Sequence, residues 1–286
     1  MEKLNLNQQR DFSDMVSATF AFLKQEFRPF LRCFTVLVLP LMLLFLLVFS
    51  DTMGRGLSFS MGNTWDLTNR QDIDVQTMMS VFALVLFNVA ISMVALLVSL
   101  SYIRVYQDHR REGNEAEVTV SEVFHVMIRK LLPLLLWQFL YFLLIMVGMV
   151  FFIVPGIYLA VALTFGLLFI VLKDKSIGDS FSATFQLTRG KWWLTFAFVL
   201  ILGLIVGVVS NIFQIPFMIL GMLFILQIGF KGYLLLMLLP LMVQYFLLSV
   251  SSLGLGVMFY SYIEEREHSF LLGKIEEIGS SGDKTE

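Results

Sequence analysis

The side chains best suited to catalysis or metal binding are three histidines and one cysteine, His109, His125, His268 and Cys33. The histidines are far apart in the sequence and lie in charged connections, and a single cysteine excludes an internal disulfide and a cysteine-based metal site. The sequence has no phosphate-binding glycine loop, no HExxH pair and no GxSxG nucleophile. We therefore expect a protein that is not an enzyme and has no catalytic residue, metal site or cofactor.

The composition indicates a chain embedded in lipid rather than dissolved in water. Of its 286 residues, 58% are hydrophobic and only 15% are charged, and the mean hydropathy is +0.82. A soluble domain is usually about one-quarter charged because its surface faces water. We predict an all-α integral membrane protein, with one polytopic domain over residues 1–278 and a disordered tail at 279–286, that has the lipid bilayer as a partner and binds no nucleic acid.

Six stretches have the length and apolar character of membrane spans, since crossing the hydrocarbon core takes about 20 residues. The run 131–172 is too long for one span, and Pro155-Gly156 favours a turn between two helices within it. The predicted spans are 33–50, 78–103, 131–154, 157–172, 192–214 and 233–262. Residues 213–230 leave open a re-entrant segment or a seventh span, and residues 51–76 are expected to form an outer loop.

The distribution of Lys and Arg predicts the orientation. With six spans, seventeen of the twenty basic residues fall on one side and only Arg55, Arg70 and Lys231 on the other. Basic residues gather in cytoplasmic connections. The sequence therefore predicts a bacterial inner-membrane protein with both termini in the cytoplasm.

A similar element precedes three of the spans. The letters Ser-Ala-Thr-Phe occur at residues 17–20 and again at 182–185, and apolar residues recur at helical spacing in 12–27 and in 119–130. We predict amphipathic surface helices at 12–30, 119–130 and 176–189, each followed by a transmembrane hairpin. The alternative is that these segments are the cytoplasmic ends of long helices.

One stretch resembles a known family. Residues 154–193, VPGIYLAVALTFGLLFIVLKDKSIGDSFSATFQLTRGKWW, resemble the multi-pass membrane domain of some glycerophosphodiester phosphodiesterases and related stand-alone inner-membrane proteins of Bacteroidota. The shared features are a Pro-Gly-Ile turn, a surface helix and a Gly-Lys-Trp-Trp entry to the next span. The resemblance implies a fold and a bacterial inner membrane, because the phosphodiesterase chemistry of that family belongs to a separate soluble barrel.

The predicted spans contain polar side chains but no ionisable ones. The residues singled out as helix contacts or as the lining of a polar cavity are Asn88, Ser92, Gln138, Asn211, Gln244 and Ser252. Such side chains most often form hydrogen bonds between helices. Gly203 and Gly207 form a small-xxx-small pair that suits close helix packing, within this chain or in an oligomer.

Two functions are compatible with this pattern. Spans without ionisable residues and basic cytoplasmic helices favour a non-enzymatic scaffold or accessory subunit of a membrane complex, with partners in protein translocation or envelope assembly. The alternative is a carrier or flippase for lipids or other apolar solutes, which tolerates a groove lined by Ser, Asn and Gln.

The orientation can be tested with reporter fusions. We expect alkaline phosphatase inserted between Arg104 and Lys130 to be inactive, because that connection is predicted to stay in the reducing cytoplasm, whereas insertion within 51–76 gives an active enzyme. Activity of the first fusion would contradict the predicted topology.

Overall fold

Every regular element in the described part of the chain is a helix. The computed structural model describes residues 4–62, 75–114, 116–151 and 153–282. The helices are α1 (Phe12–Gly62), α2 (Val75–Arg111), α3 (Val120–Phe151), α4 (Ile153–Ala162), α5 (Gly166–Leu172), α6 (Ile177–Thr188) and α7 (Trp192–Gly282).

Six helical stretches among the described residues are long and apolar enough to cross a membrane. They are Phe12–Phe45, Val81–Arg111, Val120–Val150, Ile153–Leu172, Trp192–Leu223 and Leu235–Glu267. This confirms the predicted all-helical class with six membrane-spanning segments.

Helix α7 contains two of these stretches, and contacts within it show that it folds back on itself. Thr195 Oγ1 lies 3.3 Å from Tyr262 Oη, and Gln214 Nε2 donates to Gln244 Oε1 at 2.6 Å. As one residue number rises the other falls, so the two halves are antiparallel and the chain reverses between the two stretches. Residues 213–223 therefore continue the fifth span, whereas the side chains of 224–231 lie outside the described residues.

Two of the three predicted surface helices are continuous with the following span. α1 and α3 run without a break through the predicted boundaries, with Pro29 and Pro133 inside them. In α1, Met15, Phe22 and Phe30 are buried on one face of the helix, which packs against the core. This packing favours a continuous helix over a turn at the predicted boundary near residue 30. Only α6 is a separate helix. A position of these segments in the headgroup layer stays a prediction.

The predicted outer loop and tail are partly helical. α1 extends through residue 62, and α2 begins at residue 75. α7 continues to residue 282, four residues into the stretch predicted to be disordered. Residues 63–74 and 283–286 lie outside the described part of the chain.

The turn between the third and fourth spans lies ahead of Pro155-Gly156. α3 ends at Phe151 and α4 begins at Ile153, so Pro155 falls in the first helical turn, where its missing N–H removes no helical hydrogen bond. Gly156 is buried, and a Cβ added to Gly148 would lie 3.0 Å from the Gly156 Cα. The two glycines allow α3 and α4 to approach closely beside the turn.

The fourth span is interrupted between α4 and α5, and α6 covers the interruption. The Thr184 hydroxyl of α6 donates to the Ala162 carbonyl oxygen at 3.2 Å, and the Thr188 hydroxyl, which donates to the Thr184 carbonyl at 2.8 Å, lies 3.3 Å from the same oxygen. A carbonyl without a partner is costly in lipid. These buried hydroxyls therefore explain how a broken helix is tolerated within a span.

Packing is tightest at what we call the basic end, where the connections 112–119, 173–176 and 189–191 lie. All residues of α2 from Leu97 to Ile103 and all residues of α5 are buried, so both helices are covered on every side. At the opposite ends of the spans apolar side chains are exposed, among them Phe82, Val150 and Leu223. Exposed apolar side chains at these depths suit contact with acyl chains.

Gly166 offers a test of this packing. A Cβ at Gly166 would overlap the indole ring of Trp137, which fills the space beside α5. Overpacking of a tight core typically costs about 1–3 kcal/mol, and we expect Gly166→Ala to lower the thermal unfolding temperature of the detergent-purified protein.

Gly203→Ala is the matched control, because no atom of the described residues lies within 4 Å of an added Cβ there. It should be neutral or slightly stabilising, since Ala favours a helix over Gly by roughly 0.5–1 kcal/mol. Equal unfolding temperatures for the two variants would contradict the packing.

Candidate interaction site at the basic end

Arg104 joins helix α2 to the end of the broken fourth span. Its Nε donates to Asp108 at 2.9 Å, and its Nη2 lies 2.7 Å from Asp174. Its Nη1 donates to the carbonyl oxygens of Val171 and Leu172, at 3.1 and 3.3 Å. The last carbonyls of a helix have no partner within it. One guanidinium therefore provides hydrogen-bond donors for the last carbonyls of α5 and also binds Asp174 in the turn that follows.

Asp174 is the acidic centre of this network. It adopts a left-handed backbone conformation with φ of 53°, which Asp tolerates better than most residues. Besides Arg104, the Lys130 ammonium of α3 donates to its carboxylate. Burial acts to raise the pKa of Asp174, but the hydrogen bonds and charges of Lys130 and Arg104 outweigh this effect and hold it below the ordinary value. Helices α2 and α3 and the α5–α6 turn thus meet at one carboxylate.

A second contact closes the connection between α2 and α3. His109 Nε2 lies 3.0 Å from the Glu122 carboxylate. The same carboxylate accepts hydrogen bonds from the backbone N–H and hydroxyl of Thr119, at 2.9 and 2.7 Å. This arrangement caps the start of α3. His109 therefore has a structural partner at a helix end.

The other histidines lie elsewhere. The His125 ring nitrogen is 2.7 Å from the carbonyl oxygen of Ser121 in the preceding turn of α3, and the side chain of His268 lies outside the described residues. No group of three metal-ligating side chains forms within the described part of the chain.

Residues 4–11 fold over the basic end. Leu6 is buried in the core, and Tyr106 Oη donates to the Leu4 carbonyl at 3.0 Å. The Arg10 backbone N–H donates to Ser261 Oγ at 2.9 Å, and burial lowers the pKa of the Arg10 guanidinium against the opposing charge of Asp14. The segment links α2 to the end of α7.

One carboxylic acid lies inside the bundle. Glu26 is 8% exposed, and its carboxylate accepts a hydrogen bond of 2.7 Å from the Tyr102 hydroxyl. The sequence placed Glu26 on a surface helix. Because α1 continues straight into its span, that turn of the helix packs against α2 instead.

Two of the six polar residues predicted in the spans form hydrogen bonds between helical segments at adjacent positions of α7, residues 244 and 245. Asn88 Nδ2 donates to the Tyr245 hydroxyl at 2.8 Å, which joins α2 to the second half of α7. Gln244 bonds to Gln214 across the two halves of α7. Gln138 is half-buried on α3.

The remaining three donate to carbonyls four residues earlier in their own helices. Ser92 donates to Asn88 at 2.8 Å, Asn211 to Gly207 at 2.7 Å and Ser252 to Leu248 at 3.2 Å. Five of the six residues therefore take part in hydrogen bonds within or between helical segments, and Asn88 and Ser92 share one of these bonds.

The glycines that allow close packing differ from the predicted pair. Around Gly203 and Gly207 an added Cβ would meet no atom of the described residues within 4 Å. A Cβ at Gly254 would instead touch Leu202 and Thr19, and one at Gly256 would overlap Ile103. Gly203 and Gly207 lie on the outer side of α7, so their use in an oligomer stays a prediction.

A groove lies at the basic end between α6 and the second half of α7. It consists of two adjoining cavities of about 400 and 580 Å³ that share Gln186, Leu187 and Arg266. Five cationic side chains line it: Lys173, Lys175, Arg189, Lys191 and Arg266. Lys191 contacts Glu265, and Arg266 donates to Gln186 at 3.1 Å. We call this feature the basic groove.

Sequence reasoning missed both the Asp174 network and the basic groove. The signal for the first was an Asp between two lysines, Lys173 and Lys175, in an otherwise basic connection. The groove depends on how the two halves of α7 fold back against α6, which no local pattern reveals.

Together these features define a helical membrane protein with six spans, whose basic end is held together by ion pairs around Arg104 and Asp174. No known protein family, curated protein or solved structure matches this chain. The resemblance of residues 154–193 to the membrane domain of glycerophosphodiester phosphodiesterases stays a prediction.

The Asp174 network can be tested with Asp174→Asn, since Asn keeps the size and tolerates the left-handed conformation. We expect the variant to be less stable at pH 7 by about 1 kcal/mol, a small value because the carboxylate is half-exposed. A carboxylate with a lowered pKa stabilises the fold above its unfolded-state pKa, and this contribution is lost as the pH falls through the folded-state value.

The unfolding temperatures of wild type and variant should therefore differ at neutral pH, approach each other below about pH 4, the ordinary pKa of Asp, and converge once the pH is below the lowered pKa of Asp174. Glu117→Gln removes an exposed carboxylate from the connection between α2 and α3 and serves as the control. A difference that persists unchanged in acid would rule out the charge as its cause.

Proposed function

We propose that this chain is a non-enzymatic multi-pass protein of the bacterial inner membrane that acts as a scaffold or accessory subunit of a membrane complex. Protein translocation and envelope assembly are the processes we propose for that complex. The observation that supports this most is the use of charged side chains at the basic end: Arg104, Asp174, Lys130, His109 and Glu122 connect helices to one another. Groups held in this way connect the helices and rigidify the surface that they form.

The proposed orientation places the basic end in the cytoplasm, with both termini on that side. It rests on the concentration of Lys and Arg in the connections at this end. A rigid basic face in that position is accessible to cytoplasmic partners and to neighbouring membrane proteins.

The proposed contact surface lies within the first five turns of α1 and the first three turns of α3. Phe20, Phe27, Phe124 and Ile128 are 42–52% exposed there. Exposed apolar side chains that share a region of the surface suit contact with another protein. We propose an apolar helix of another membrane protein as the partner of this surface.

A carrier or flippase is the second candidate. It is favoured by four buried polar side chains, Ser101, Gln107, Ser180 and Ser210, each with an atom that has no hydrogen-bond partner within the described part of the chain. Buried polar atoms are nearly always paired, so these positions are suited to water or a polar part of a solute. They lie on three different helices, α2, α6 and α7, and the contacts described above do not join them into a pathway.

Site-specific photo-crosslinking in native membranes tests the proposed contact surface. With a photoreactive residue in place of Phe124, we expect discrete protein adducts that mass spectrometry identifies reproducibly. Val154, which is 76% exposed at the opposite end of the bundle, provides the control position. The photoreactive residue in place of Val154 should form lipid adducts only.

Lipid adducts alone at both positions, together with purification of the chain without companions, would argue against a subunit role. Transfer of labelled lipid between leaflets of reconstituted vesicles, abolished by Ser180→Leu and Ser210→Leu, would instead support the carrier.

A further inference from the structure

We propose that the basic groove binds the phosphate of an anionic phospholipid headgroup from the adjoining leaflet. This inference does not depend on the proposed subunit role, because it concerns a different surface, between α6 and α7.

The groove lies at the depth of the headgroups. Three candidate spans end at its rim: Lys173 directly follows one, Lys191 directly precedes the next, and Glu267 is the last residue of the third. Trp193, two residues after Lys191, is 76% exposed, as is usual for an indole at the membrane–water interface.

The charge of the groove suits a phosphate. Its lining contains five cations and two carboxylates, Glu265 and Glu267, and the contact of Lys191 with Glu265 pairs one charge of each sign. The side chains of the lining therefore carry a net positive charge. Arg and Lys donors suit the oxygens of a phosphate.

The surroundings of Lys173 give a further reason to expect a bound anion in the groove. Burial lowers the pKa of its ammonium, Glu267 opposes that effect, and the nearby positive charge of Arg111 adds to it. An anion placed beside Lys173 offsets both burial and like-charge repulsion.

The shape favours a lipid over a free phosphate or an acidic peptide. The lining of the groove also contains the apolar side chains of Phe169, Leu187 and Ile263, and Phe169 lies one helical turn before Lys173, about 6 Å along the helix and toward the centre of the span. The ammonium of Lys175 lies 4.8 Å from the centre of the Phe169 ring. A basic rim above an apolar floor matches a headgroup followed by acyl chains, whereas a soluble anion uses the rim alone.

Native mass spectrometry of the full chain, equilibrated with equal amounts of phosphatidylglycerol and phosphatidylcholine, tests the proposal. We expect wild type to retain phosphatidylglycerol at least about tenfold over phosphatidylcholine. The triple variant Lys175→Gln, Arg189→Gln, Arg266→Gln should reduce this ratio to near unity.

The matched control is Lys24→Gln, Arg28→Gln, Arg129→Gln, which removes three exposed cations from α1 and α3 and should keep the preference. If the triple variant unfolds at lower temperature, the double variant Lys175→Gln, Arg189→Gln replaces it and leaves the Arg266–Gln186 hydrogen bond intact. Equal loss in the control would overturn the proposal in favour of diffuse surface charge, as would a wild type without preference.

Two soluble competitors distinguish a lipid phosphate from a soluble phosphate and from an acidic peptide. Retention of phosphatidylglycerol in excess glycerol 3-phosphate supports a lipid ligand, and its displacement would overturn the lipid in favour of a soluble phosphate. Displacement by an octaglutamate peptide would likewise overturn it, because the groove would then prefer an acidic protein segment.

Discussion

The guanidinium of Arg104 is the interaction on which the arrangement of the basic end depends. It binds the last carbonyls of α5 and the carboxylates of Asp108 and Asp174. Because α5 is only seven residues long, too short to be stable alone, its position depends on contacts at its ends and on burial all round. The direction in which the chain enters α6, and hence one wall of the basic groove, follows from that fixed end.

The membrane class and the number of spans could be predicted from the sequence because they depend on local quantities. A run of about 20 apolar residues without charge has few structures available to it in lipid, so the spans follow from composition alone. Helix boundaries were less predictable. Pro29 and Pro133 were compatible with helix ends, but continuous burial along one face carries α1 and α3 through both prolines.

The contacts between helices could not be predicted, since they depend on which faces meet. Asn88 and Gln244 were recognised as polar residues in spans, but their partners Tyr245 and Gln214 follow from the folding back of α7. The same holds for Glu26, which lies within the predicted surface helix 12–30 and is buried where α1 packs against α2. The small-xxx-small spacing of Gly203 and Gly207 was equally uninformative, because nearby glycines without that spacing make the close contacts.

The uneven packing along the spans bears on how the protein adapts to its bilayer. Tightly packed helical segments open only with a large free energy, and loosely packed ones yield readily. The ends of the spans that expose Phe82, Val150 and Leu223 can therefore tilt or spread as hydrocarbon thickness changes, at a cost of fractions of a kcal/mol per Å. We expect the more tightly packed half of the bundle, around α5 and the buried part of α2, to change less, so that most of the adaptation to membrane thickness occurs in the other leaflet.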